Sequence, residues 1–241
     1  MVEEKKSSIS VFFPCYNDKG TIATLVIEVR SVLEKITHDF EIIVIDDGST
    51  DGSRDLLLEL QRTVPELRLV MHEQNRGYGG ALQSGFKAAT KDLVFYTDGD
   101  GQYDVKELPR LLEKLTDDVD VVNGFKIKRS DPLHRIIIGY IYQKVMQFVF
   151  WLPVKDPDCD FRLLRRKVFD NVSLKSTTGT ICIELLKRID QAGFKFAEVG
   201  VSHYARTYGK SQFFNFKRVA KTLVKLVFLW FELMVPRNKK S

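Results

Sequence analysis

Cysteine and histidine are scarce in this sequence. Cys15, Cys159 and Cys182, and His38, His72, His134 and His203, are spread over 241 residues. No Cys-x-x-Cys pair and no histidine pair at metal-ligand spacing occurs, so neither a zinc site nor a disulfide framework organises the chain. The expected state is reduced, buried thiols. A long uncharged apolar run is also missing: no stretch reaches the ~20 residues that a membrane span needs. The opening Met-Val-Glu-Glu-Lys-Lys has no apolar signal core, so no secretory leader is expected. Walker A and Gly-x-Ser-x-Gly motifs are absent. Asn75-Arg76-Gly77-Tyr78-Gly79-Gly80-Ala81 superficially suggests a dinucleotide fingerprint, but position 82 is leucine and the stretch does not follow the first strand. It fits better as a glycine-rich helix entry packed on a sheet near phosphate or sugar. No internal repeat and no low-complexity segment is visible.

What is present describes a globular chain. The composition is 44% hydrophobic, enough for one sizeable core or a domain with an appendage. A net charge of +5 favours anionic partners such as nucleotides, phosphates or acidic lipid. The excess is too small to argue for nucleic acid. Short apolar strands at 9–13, 41–45, 67–71, 93–96 and 119–123 alternate with helical patterns at 21–36, 51–62, 79–90 and 105–115. Strands this apolar are buried on both faces, as in parallel sheets under helices. The expectation is an α/β, Rossmann-like, mostly parallel central sheet flanked by helices.

Ligands of such sheets bind at the carboxyl ends of the strands. Three polar clusters fall there: Pro14-Cys15-Tyr16-Asn17-Asp18, Asp46-Asp47-Gly48-Ser49-Thr50-Asp51-Gly52, and Asp98-Gly99-Asp100. Calcium loops of EF-hand type fail at Tyr103 and Pro109 when started at Asp98, and at Leu58 when started at Asp47. Asp51 and Asp104 suit helix caps. Asp98 and Asp100 are alternate residues that can converge on one point, with Gly99 and Gly101 allowing close backbone approach. Two hard oxygen donors suit Mg²⁺ or Mn²⁺, which keep open positions for water and phosphate. Beside a basic surface, this predicts a nucleoside diphosphate ligand, with Asp47 placed to hydrogen-bond a base or ribose.

FFPCYND, EIIVIDDGSTDGS, NRGYGGALQSGFKAA and TDGDGQYDVKELP occur in this order. Together they resemble the family 2 glycosyltransferases of GT-A fold, and within these the dolichyl-phosphate mannose synthase group, the polyprenyl-phosphate sugar transferases. The resemblance runs from about 9 to 212. It implies that Pro14, Tyr16 and Asp18 line the nucleotide pocket, with Asp18 where relatives carry Glu. It implies that Asp47 holds the nucleoside, that Asp98 and Asp100 form the metal motif with Gln102 as a further ligand, and that Lys126 lies near the diphosphate. Asp156-Pro157-Asp158-Cys159-Asp160-Phe161-Arg162 resembles the acceptor-side motif. Arg206-Thr207-Tyr208-Gly209-Lys210-Ser211 resembles the basic loop that closes on the phosphates, with Gln212 where relatives carry Lys.

The implied reaction is inverting transfer of a hexose, as from GDP-mannose or UDP-glucose, to a polyprenyl or dolichyl phosphate. The metal, Arg206 and Lys210 or Lys126 would offset charge on the leaving diphosphate. A lipid phosphate needs little or no base; a hydroxyl acceptor would, and Asp158 or Asp160 would supply it. Asp158, Asp160 and Arg162 equally suit a structural ion pair or turn. Glu184, alone in an apolar helix, wants a partner, in the acceptor channel or in a structural pair.

Two segments suit a membrane surface. Residues 133–154 are apolar and aromatic with only Arg135 and Lys144 charged, as in an interfacial helix. In 216–235, Phe216, Val219, Leu223, Leu226, Val227, Trp230, Leu233 and Met234 share one face, with Lys217, Arg218, Lys221 and Lys225 opposite, and Arg237, Lys239 and Lys240 follow. The expected organisation is a transferase domain over 1–212 and a basic amphipathic helix over 213–241. It would lie peripherally on anionic lipid at a cytoplasmic membrane face, or dock on a membrane protein or a second copy. Rival readings are a same-fold transferase acting on a polysaccharide, and a non-catalytic nucleotide-sugar binding protein. A sugar-phosphate nucleotidyltransferase would begin with a basic glycine-rich loop, not Pro14-Cys15-Tyr16-Asn17.

Overall fold

The run Ile9–Cys15 is buried at every position, and so is all of Phe40–Asp46 except Phe40. Such strands must be covered on both faces, and the structure, a computed structural model, covers them with helices. It describes residues 8–129, 133–206, 208 and 216–235. The chain order is β1 (Ile9–Cys15), α1 (Ile22–Ile36), β2 (Phe40–Asp46), α2 (Ser53–Gln61), β3 (Leu67–Met71), α3 (Tyr78–Ala88), β4 (Leu93–Thr97), α4 (Leu108–Lys114), β5 (Val121–Arg129), α5 (Leu133–Phe150), β6 (Phe161–Arg165), α6 (Ile181–Gln191), β7 (Phe196–His203) and α7 (Phe216–Met234).

The sheet order is β3-β2-β1-β4-β6-β5-β7. All described pairings are parallel except those of β6, which runs antiparallel between β4 and β5. The alternating sequence pattern thus reads the first half correctly and leaves out β6 and β7. The expected helix at 105–115 divides into a 3-10 turn at Val105–Glu107, capped by Asp104, and α4. Pro109 at the start of α4 has no N–H to give and is tolerated in the first turn.

Alternation along the strands builds two cores. Ile9, Val11 and Phe13 face one with α1 and α4; Phe12 faces the other with α3 and α6. A third cluster joins α5, α6 and α7 through Phe150, Leu186, Leu226, Leu229 and Leu233. On α7, Leu226, Trp230, Leu233 and Met234 of the expected apolar face turn inward onto α5 and α6 rather than outward to a membrane or partner. Leu223 and Val227 do not: each is more than half exposed. The inward stripe runs instead through Leu229, because α7 must seat against both α5 and α6. The side chains of Phe216, Lys217, Arg218 and Val219 lie outside the described residues, as do Arg237, Lys239 and Lys240. All three cysteines are free and buried, and burial pushes the Cys15 and Cys159 thiols up to about 12.

Helix α3 lies so close on β1 that a Cβ at Gly85 would stand 2.4 Å from the Phe12 ring. Alanine there gains helix propensity of about 1 kcal/mol but must displace a packed ring, costing about 1–3 kcal/mol. Gly85→Ala is therefore expected to lower stability, seen as a reduced urea midpoint with unchanged slope. A raised midpoint would contradict the packing.

Candidate functional site

The carboxyl ends of β2, β1 and β4 are adjacent, so the three polar clusters meet at one rim. Backbone detail locks them together. Asn17 adopts φ 58° and its side-chain oxygen accepts the Thr50 N–H at 2.8 Å, while its own N–H donates to Ser49. Asp51 caps the Lys19 and Ser53 N–H groups. Thr21 Oγ1 donates to the Gly99 carbonyl at 2.8 Å, and a Cβ at Gly99 would stand 2.6 Å from the Pro14 carbonyl. Glycine at 99 is therefore what lets the turn after β4 close on β1.

Asp98 is partly buried and accepts a 2.7 Å hydrogen bond from the Tyr78 hydroxyl. Burial pushes its carboxyl well above the ordinary range, and Asp160 and Asp100 push in the same direction. Asp100 accepts the Gln102 N–H at 3.1 Å and is likewise raised by burial, an effect that Arg206 opposes. Arg206 spans the cleft: Nη2 lies 2.7 Å from Asp18 Oδ1, and Nη1 lies 3.8 Å from Asp100 Oδ2. Its segment is buttoned down where Gln102 Nε2 donates to the Tyr204 carbonyl. Tyr16 is exposed at the rim. Among the described residues no three His, Cys, Asp or Glu side chains gather as a metal cage. Asp98 and Asp100 fit a divalent ion that keeps most of its positions for water and phosphate.

Asp47 sits beneath the rim. Its carboxylate meets His72 Nδ1 at 2.6 Å and accepts the N–H groups of Arg76 and Gly77 at 2.8 and 3.0 Å. His72 reaches Ser84 with its other ring nitrogen. Asp47 thus holds the glycine-rich loop, and the loop stands between it and solvent.

On the other side, Lys126 Nζ donates to the Asp158 carbonyl at 2.6 Å and lies 3.8 Å from Asp156. Asp156 also accepts the Asp158 N–H. Arg162 is 0% exposed: it pairs with Asp160 at 3.0 Å and donates to Tyr96, Asn123 and the Pro157 carbonyl. It is a buried brace under the acceptor-side motif rather than a rim group. Glu184 is also 0% exposed and turns to Arg188 and the 175–176 backbone, away from this cluster. Lys210 and Gln212 lie outside the described residues. Tyr78, His72 and Tyr96 were not expected at the site. Tyr78 had one legible signal, its place between glycines at a helix entry.

A mostly parallel sheet with paired carboxylates at its rim defines a GT-A, Rossmann-like protein. The chain belongs to glycosyl transferase family 2, whose model matches residues 10–173. It is 30% identical over 207 residues to an undecaprenyl-phosphate 4-deoxy-4-formamido-L-arabinose transferase of Aeromonas hydrophila, covering 85% of this chain and 62% of that protein. It is 28% identical over 220 residues to the protein of the same name from Salmonella choleraesuis, covering 91% and 66%. The chain therefore spans less than two thirds of those relatives' length. Among solved structures, glucosyl-3-phosphoglycerate synthase of Mycobacterium tuberculosis with phosphoglyceric acid superposes with TM-score 0.73 at 19% identity, covering 96% of this chain and 82% of that one. The same synthase with Mn²⁺ and UDP-glucose gives 0.72 at 18% identity, covering 96% and 81%.

Two outcomes follow from this electrostatics. Arg206 partly offsets the acids that would hold a cation. Arg206 is about a quarter exposed and its 3.8 Å contact with Asp100 is loose, worth up to about 1 kcal/mol. Arg206→Ala is expected to tighten Mn²⁺ binding to nucleotide-free protein about 2- to 5-fold by calorimetry; weaker binding would show no competition.

Asp158 is raised by burial to about 6. The folded chain keeps that proton up to pH 6, whereas the unfolded chain releases it near 4. Stability is therefore lost as pH rises from 4 to 6 and stays lost above. Asp158→Asn should gain on the parent across that window, by up to roughly 3 kcal/mol at its plateau. Parallel denaturation curves from pH 4 to 8 would refute this.

Proposed function

We propose that this protein is a metal-dependent inverting glycosyltransferase that moves a hexose-type sugar from a nucleoside diphosphate donor to a polyprenyl phosphate at a membrane surface. The observation that carries the reading is the meeting of Asp98, Asp100, Asp18 and Arg206 at the carboxyl rim of β1 and β4. Carboxylates raised by burial at one rim demand positive charge, and Arg206 supplies only part of it. Asp98 and Asp100, with Gln102 beside them, would hold Mg²⁺ or Mn²⁺. Such an ion would neutralise the diphosphate as it leaves. Arg206 then adds a guanidinium on the same side of the cleft, and Lys126 a buried ammonium toward the acceptor motif. Relatives named for transfer to undecaprenyl phosphate support the lipid-phosphate acceptor.

The outer surface supports the membrane setting. On α5, Ile137, Ile138, Tyr140, Ile141 and Phe148 are more than half exposed, and Trp151 follows. On α7, Leu223, Val224, Val227, Phe228 and Phe231 are as exposed, with Lys221 and Lys225 between them. Apolar side chains with interleaved lysines suit the headgroup layer of an anionic bilayer. No described helix is long and apolar enough to cross a membrane.

A second reading keeps the donor and changes the acceptor. Asp158, raised to about 6, is poised as a base for a hydroxyl. A lipid phosphate needs no such base, so the two readings differ in their pH–rate profile.

Purified protein with Mn²⁺, a panel of UDP- and GDP-sugars and a short polyprenyl phosphate is expected to form a lipid-linked sugar. Asp100→Ala should lower turnover more than ~100-fold with its melting temperature kept. Transfer that survives Asp100→Ala or a chelator would reject the reading. The protein should also float with anionic liposomes, and Phe228→Asp with Phe148→Asp should leave it in the soluble fraction.

A further inference from the structure

A run of polar contacts connects the C-terminal helix to Asp98. Glu232 on α7 pairs with Arg188 at 2.8 Å and with Lys175 at 2.9 Å. Arg188 Nε donates to Glu184 Oε1 at 2.8 Å. Glu184, fully buried, also accepts the backbone N–H groups of Lys175 and Ser176, at 3.1 and 2.7 Å. A buried charge therefore fixes the segment 175–177 from below.

That segment presses on the glycine entry to α3. The Thr177 carbonyl accepts the Gly79 N–H at 3.1 Å, and the Gln83 amide donates to the Ser176 carbonyl at 2.8 Å. A Cβ at Gly79 would stand 2.2 Å from the Ser176 oxygen, and one at Gly77 2.5 Å from the Thr177 oxygen. Gly77 has φ +81°, where a side chain is strained in any case. From the opposite side, Asp47 takes the N–H groups of Arg76 and Gly77. Between two glycines pinned by two carboxylates stands Tyr78, whose hydroxyl donates to Asp98 Oδ1 at 2.7 Å. Packing alone would be served by a phenyl ring. The hydroxyl has a partner at the mouth of the site, and the backbone around it is held from both sides.

We infer that Tyr78 is the positioning residue for the Asp98 carboxylate, and that Glu184, through residues 175–177, sets where Tyr78 stands. The functional part of this rests on the proposed reading of Asp98 as a metal ligand. Groups that orient a ligand from behind typically change metal affinity about 10- to 100-fold when lost. Polar contacts and short backbone steps thus lead from Glu232 of α7 to Asp98.

The test uses the full chain and four proteins: wild type, Tyr78→Phe, Glu184→Gln and the double variant. Two quantities are read, the affinity for Mn²⁺ in saturating UDP or GDP, and the carboxyl ¹³C resonance of Asp98 in metal-free protein. Tyr78→Phe is expected to weaken Mn²⁺ binding about 10-fold and to shift the Asp98 resonance, with its melting temperature close to wild type. Glu184→Gln should move both quantities in the same direction by less. The double variant should match Tyr78→Phe within about 2-fold, since the two act in series. Unchanged Mn²⁺ affinity and an unmoved resonance in Tyr78→Phe would overturn the inference, and so would strictly additive effects in the double variant. Where wild type binds no Mn²⁺, the proposed reaction falls, and the Asp98 resonance still decides the role of Tyr78. Tyr78→Phe alone decides it where Glu184→Gln does not fold.

Discussion

Carboxyl groups held out of water at the ends of β1 and β4 and before β6 are the constraint on which the rest depends. Asp18, Asp98, Asp100 and Asp158 are all raised by burial, so folding gathers acids against their own preference. Such an arrangement persists only when the scaffold over-determines it. The scaffold here is a sheet with both faces covered, glycines where the rim turns must touch, and a backbone that spends N–H groups on the acids. The acids of this rim divide into two kinds. Asp160 pairs with Arg162 and accepts from Tyr96 and Cys182. Asp98 and Asp100 have a phenol, one backbone N–H and a distant guanidinium. The first kind braces; the second keeps acceptor capacity, which is why the proposed cation is placed there.

The division explains how much of the site could be read from residues alone. The rim was legible because strand ends are punctuated: an apolar run stops at Pro14, at Asp46 and at Thr97, and polar residues cluster just beyond. The Asp98–Asp100 pair was legible because two acids separated by glycine at a strand end violate the usual economy of charge. What the chain pattern could not convey was direction. Arg162 and Glu184 are charged residues in motifs, and each proves fully buried: Arg162 turns to Asn123 and Tyr96, distant in sequence, and Glu184 to Arg188 one turn on and to the 175–176 backbone. Asp47 stands at the expected place, yet its contacts run to His72 and the 76–77 backbone. A carboxylate's partners depend on which loops tertiary packing brings to it, and local sequence is silent on that.

The fold shows the same limit. Strands β1 to β5 announce themselves by composition, and α1 by its 3.6-residue period. Strand β6, Phe161–Arg165, carries two arginines in five residues and reads as polar. It sits centrally because Arg162 meets a ready-made set of acceptors, so tertiary pairing overrides propensity. Helix α7 misleads in a different way. It is apolar on two sides, and periodicity cannot say which side packs inward. The α5 and α6 surfaces choose Leu226, Leu229 and Leu233, leaving Val227 and Phe228 outside.

That choice leaves an apolar outer surface and an acidic rim on one small chain, and the two are poor neighbours because unpaired buried charge is costly beside apolar groups. The structure separates them by interposing α6. Its buried residues Ile183 and Leu186 face α5 and α7, and its Cys182 faces Asp160. One helix thus packs one apolar side on α5 and α7 and the other on the sheet, where its Cys182 thiol reaches Asp160. Glu184 and Arg188 on that helix carry a run of polar contacts from Glu232 of α7 to the 175–176 backbone beside the glycine loop. One element therefore borders both the buried acids and the apolar outer layer.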